Sequence, residues 1–110
     1  MTNVKFYKKS SKFIGFKLYG HAAPRELDLD VDLTCAAISA ISQTTLIGIL
    51  EVLKIDVTYK IEDGFLNLTL QNQSDNDIER CQVLLETMLL GLKSIEITYS
   101  DYIKVELEEV

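Results

Sequence analysis

Apolar and polar residues alternate from Asn3 to Lys8, with Val4 and Phe6 on one face and Lys5 and Tyr7 on the other, which is the period of a half-buried strand. Lys12 to Gly20 repeats the alternation with Ile14, Phe16 and Leu18 inward. Lys9, Ser10 and Ser11 form a short polar connection, so the two strands are predicted to pair as a hairpin. The lysines at 5, 8, 9, 12 and 17 are expected to blunt an edge hairpin rather than to build a binding patch.

From Asp32 the period changes. Asp32 is a suitable N-cap, because its carboxylate accepts the unpaired amides of the first turn, and Cys35 is then the third helical residue. The helix is predicted to run to about Lys54. No charge interrupts Leu33 to Leu50, a run of membrane-span length whose Thr34, Ser39, Ser42, Gln43, Thr44 and Thr45 argue instead for a buried helix. A helix apolar on most of its circumference needs cover from the sheet and from a second subunit, so a homodimer built partly on this helix is expected. Gly48 inside it points to close backbone packing.

Ile55 to Ile61 alternates again, and Phe65 to Leu70 does so through Leu66, Leu68 and Leu70. Between them stands Asp63-Gly64, a dipeptide that favours the tight primed turns of antiparallel hairpins. Ser74 or Asp75 is placed to cap a second helix, in which Ile78, Cys81, Leu85, Met88, Leu92 and Ile95 recur at helical spacing. Ile103, Val105 and Leu107 make a last strand, and the acidic end from Glu106 is expected to fray. The order ββαββαβ implies an α+β two-layer sandwich, a mostly antiparallel sheet carrying two helices on one face. With 110 residues and neither repeat nor linker, residues 1–110 read as a single domain.

A net charge of −6 disfavours direct nucleic-acid binding and fits a basic protein partner. No export signal or membrane anchor is recognisable, which places the chain in the cytoplasm, where its two cysteines are expected to be reduced thiols. The aspartates at 28, 30 and 32 suggest a calcium loop. The glycine and terminal glutamate of such a loop are missing, because Leu33 and Ser39 stand there, so no metal and no cofactor is expected.

The candidate chemistry lies in Gly20 to Ser39. The one histidine, His21, follows directly on a strand end, a loop runs from Ala22 to Val31, and Cys35 falls near a helix start. A thiol there is favoured as thiolate by unpaired amides and the helix dipole, and a histidine in reach completes an ion pair that protonates the leaving amine. The amides of Cys35 and Ala36 would then form an oxyanion hole. Each residue also has a plain structural use: a surface histidine, a small core cysteine, a capping aspartate.

Gly20-His21-Ala22, then Asp32-x-x-Cys35-Ala36-Ala37-x-Ser39, then Leu90-Gly91-Leu92-x-x-Ile95 leading to Tyr99-x-x-Tyr102 together resemble the ribosomal-processing cysteine protease (Prp-like) family over nearly the whole chain. The resemblance implies a small dimeric endopeptidase with a Cys-His dyad. It would remove the N-terminal extension of the large-subunit ribosomal protein numbered twenty-seven during ribosome assembly. Cys35 would be the nucleophile and His21 the base. Gly20 would let the backbone turn the imidazole toward the thiol, Asp32 would cap the helix or orient His21, and Ser39 would support the site from behind. The family's loop between His and Cys is typically glycine-containing, whereas residues 22–31 hold no glycine, and Leu27, Leu29 and Val31 alternate with Asp28 and Asp30. This segment is expected to form a strand or to pack on a partner. Two other functions fit the same residues: a non-catalytic ribosome-assembly or interaction module with this fold, and a redox sensor using Cys35.

Overall fold

The computed structural model describes residues 1–20 and 29–110, the side chains of 29–32 excepted. Its elements are β1 (Thr2–Lys9), β2 (Lys12–Tyr19), α1 (Leu29–Ile47), β3 (Thr58–Glu62), β4 (Phe65–Thr69), α2 (Asp75–Thr98) and β5 (Ile103–Glu109). The five strands form one sheet in the order β3-β4-β2-β1-β5, antiparallel except for the parallel pair β1 and β5. The two helices lie on one face, as the alternation predicts, because only one side of each strand is apolar. Phe6, Phe16, Leu66, Leu68 and Ile103 from the sheet meet Ile38, Ile49, Leu85, Met88 and Leu92 from the helical layer in one core.

The first hairpin forms around Ser10 and Ser11, both at positive φ of 51° and 68°. It is not an edge. β1 and β2 are inner strands, so Lys5 and Lys17 project from the uncovered face of the sheet and guard no border. An irregularity in pairing between Tyr7 and Lys8 sets Lys8 opposite Phe13 and skips Ile14. Phe13 therefore joins the core and stacks edge-on against Phe6 at 6.0 Å, in the place expected for Ile14.

Helix α1 already includes Leu29–Val31, so the expected loop or strand does not extend over these residues, and Asp32 lies inside the helix instead of at its N-cap. At the other end the ladder widens into a π-turn over Gly48–Val52, and Lys54 at φ 58° stops it. A Cβ at Gly48 would stand 3.2 Å from Leu84 Cδ1, which accounts for the glycine through close approach to α2. Leu33–Val52 is long and apolar enough to cross a membrane by length and composition; here Ile38, Leu46 and Ile49 enter the core.

β3 is shorter than expected. Ile55 and Val57 are buried in the connection leaving α1, while Tyr59 and Ile61 are exposed, because β3 overhangs the helical layer. In the Asp63-Gly64 turn only Gly64 has positive φ, 69°, which fits a type II turn and not the expected primed one. Ser74 caps α2, its Oγ accepting from the Asp77 amide at 3.1 Å. The acidic C-terminus does not fray: β5 runs to Glu109 and the Val110 amide donates to the Lys8 carbonyl at 2.9 Å.

Candidate functional site

The end of the sheet where β2 stops is built on Gly20. Its φ of 97° turns the chain off the strand, and a Cβ there would lie 2.6 Å from the Met1 carbonyl oxygen. Only glycine combines that conformation with that approach. The Gly20 amide donates to the Gly64 carbonyl at 3.2 Å, so the β3–β4 turn pins the point from which residue 21 departs. Asp63-Gly64, legible in the sequence only as a hairpin turn, is thus part of the wall of this region. His21 and residues 22–28 lie outside the described residues, as does the Asp32 side chain.

Cys35 is a free, half-buried thiol on α1. Because residues from Leu29 onward are already helical, Cys35 lies beyond the first turn, where a backbone amide is engaged by the carbonyl four residues earlier. This corrects two expectations. Cys35 does not occupy the first turn, and the amides of Cys35 and Ala36 serve the helix ladder instead of an oxyanion hole. Ser39, four residues on and exposed, shares the Cys35 face of the helix. It lines a cleft of about 290 Å3 between α1 and the β3–β4 hairpin, together with Gln43, Ile61, Glu62 and Asp63. The cleft also reaches Ser42, which is buried and donates to the Ile38 carbonyl at 2.7 Å. Ser42 neighbours Ser39 by its three-residue spacing on the helix, but nothing in the pattern of apolar residues marks Glu62 as their neighbour, since its approach depends on how α1 crosses the sheet.

The second thiol is of another kind. Cys81 is fully buried on the core face of α2. Burial, reinforced by the nearby Asp77 carboxylate and opposed by Arg80, pushes its pKa up from 9.0 to about 11. It is a core residue. Among the described residues no group of three or more His, Cys, Asp or Glu is arranged to hold a metal ion.

Fold and site together define a small α+β sandwich with one reachable thiol on a helix beside a cleft at the sheet's end. Residues 1–104 match the family model described as cysteine protease Prp, and the chain belongs to that family of thiol hydrolases. The fold is shared with SMU.848 from Streptococcus mutans, with TM-score 0.87 and 21% identity over 100% of this chain and 96% of that one. It is shared too with an essential ribosomal processing protease Prp from S. aureus in complex with a substrate peptide, with TM-score 0.82 and 22% identity over 98% of this chain and all of that one. The same S. aureus protease with a covalently linked product peptide gives TM-score 0.81 at 22% identity, again over 98% and 100% of the two chains. No curated protein matches by sequence.

Proposed function

We propose that this chain is a cytoplasmic cysteine endopeptidase that removes the N-terminal extension of a large-subunit ribosomal protein precursor during ribosome assembly. The observation that carries the proposal is Cys35, a free and reachable thiol on the helix face that borders the cleft, in a chain of the cysteine protease Prp family. Cys35 and His21 form the dyad. The imidazole takes the thiol proton, the thiolate attacks the scissile carbonyl carbon, and the imidazolium protonates the departing amine. Water, deprotonated by His21, then hydrolyses the thioester and frees Cys35. Gly20 sets the departure of His21 from the strand, Asp32 orients the imidazole, and Ser39 supports the thiol's face from one turn away. The covalent product peptide on the S. aureus relative supports a nucleophilic route of this kind. The net charge of −6 suits a basic substrate. The scheme uses no metal, cofactor, membrane or directly bound nucleic acid.

A second reading is favoured by the helical residues from Leu29 onward, which set Cys35 inside the helix and remove its first-turn activation. In it the chain is a non-catalytic assembly module that binds the same precursor. Incubation of the protein with the precursor, beside a Cys35→Ala variant, separates the two. Cleavage is expected to fall by at least about a thousandfold in the variant. Intact precursor bound by both proteins would establish the binder.

The protein acts as a homodimer in this proposal. The outer side of the helical layer exposes Leu33 and Ile47 on α1 and Val83 and Leu90 on α2. They flank a shallow apolar cleft between the helices lined by Ala40, Thr44, Thr87 and Gly91. Such a surface is suited to a self-complementary contact. Sedimentation is expected to give a dimer at micromolar concentration and a monomer for Leu90→Glu. A monomeric parent protein would overturn the dimer.

A further inference from the structure

The two borders of the sheet are finished differently. On β5 the outward amide of Val105 is taken by the Glu96 carboxylate of α2 at 2.6 Å, so that edge is partly capped. On β3 all five residues are exposed, and its outer side has no strand partner among the described residues. The register closes at the pair Glu62 and Phe65 across the two-residue turn. Hydrogen-bonded pairs alternate in an antiparallel ladder, so Thr58, Lys60 and Glu62 bond to β4 while Tyr59 and Ile61 direct their amides and carbonyls outward.

We propose that the free edge of β3 and the cleft beside α1 form a substrate groove that takes a basic peptide as an added strand leading to Cys35. The proposal rests on the protease function argued above and names how its substrate is held. Main-chain bonds to Tyr59 and Ile61 align an extended chain, and every second side chain then points toward the helical layer. There it meets the half-open faces of Tyr59 and Ile61, 43% and 46% exposed although Leu68 and Leu66 opposite them are buried. Beyond Ile61 the path enters the cleft under Ser39, and Cys35 stands one helical turn, about 5.4 Å, further along the same face. The turn residue Asp63 brings a carboxylate to that cleft, which selects a lysine or arginine on the peptide. Lys60 lies 3.3 Å from Glu62 on the other face of the strand, so its charge is paired away from the cleft. Lys60 and Glu62 also charge the opposite face of this short strand, which discourages pairing with a second copy.

Amide hydrogen exchange on the Cys35→Ala protein, with a synthetic peptide spanning the extension junction of the ribosomal precursor, tests the groove. The Tyr59 and Ile61 amides are expected to slow by about tenfold or more on saturation. Ile61→Pro deletes one outward donor and leaves the ladder to β4 intact, so peptide binding is expected to weaken by about tenfold. Asp63→Asn should weaken it about threefold or more and flatten its salt dependence, while Glu62→Gln should not. Binding without slowing at Tyr59 and Ile61 overturns the groove, and so does the absence of binding. Should Ile61→Pro fail to fold, the exchange result decides. Cleavage by the parent protein with unslowed β3 amides sinks the groove alone, whereas slowed amides without cleavage sink the protease function and keep the groove.

Discussion

Gly20→Ala is expected to lower stability by about 2–3 kcal/mol, the range for a side chain forced into a left-handed backbone conformation, and to reduce proteolysis further than that loss explains. The methyl group would meet the Met1 carbonyl at 2.6 Å. That carbonyl cannot withdraw freely, because the adjacent Thr2 amide is bonded to the Tyr102 carbonyl at 2.9 Å and β1 is held between β2 and β5. The chain must therefore move at Gly20, breaking its bond to Gly64 and redirecting His21. For a domain of this size the melting temperature should fall by roughly 10–20 °C. Gly15→Ala is the comparison: its Cβ would strike the Leu68 carbonyl at 2.4 Å in the middle of the sheet, far along β2 from the site. Both variants should melt early. Only Gly20→Ala should lose cleavage by more than about tenfold when assayed well below its own melting point. Equal residual activities would show that Gly20 supports the fold and not the placement of His21.

The two thiols should differ by at least about a thousandfold in alkylation rate near neutral pH, because a core cysteine reacts only through opening of the native state, which costs several kcal/mol. Cys35 is half-buried and should label in the folded protein, while Cys81, fully buried, should label on denaturation. Comparable rates would contradict the packing of α2. Burial raises the Cys81 pKa from 9.0 to about 11, so folding favours its neutral form. Its contribution is complete below pH 9 and disappears as the pH rises through 11. The stability advantage of the parent over Cys81→Ala should thus be constant at neutral pH and narrow between pH 9 and 11 in thermal melts. A constant difference across that interval would mean that Cys81 titrates alike in the folded and unfolded protein, so that burial does not raise its pKa.

What could be read from the residues was what depends on near neighbours in the chain. Val4 and Phe6, Leu66 and Leu68, and the Cys81-Leu85-Met88-Leu92 stripe all face the core as their spacing requires. Ser74 caps α2 through its own hydroxyl. Those relations are set by periods of two and of 3.6 residues and by groups three residues apart, so two helices on one face of a mostly antiparallel sheet followed. The helix start was misplaced for a related reason. Asp28, Asp30 and Asp32 are all competent caps, and local chemistry does not rank them. In the structure α1 already includes Leu29, which takes Asp32 and Cys35 into the helix and engages the Cys35 amide in its ladder.

Strand order was not local at all. The alternation in β1, β2 and β3 is similar, yet β1 and β2 became inner strands and β3 an edge, because the parallel return of β5 covers β1 while no strand among the described residues returns beside β3. That single choice exposed Tyr59 and Ile61, left Lys5 and Lys17 on the open face, and set Glu62 and Asp63 beside Ser39. The elements, their buried faces and the candidate thiol follow from short-range periodicity and residue chemistry alone. Only the packing of distant segments could show that Gly64 holds Gly20 and that a cleft opens along α1 at Ser39, because both depend on contacts between separate elements whose register no local pattern fixes.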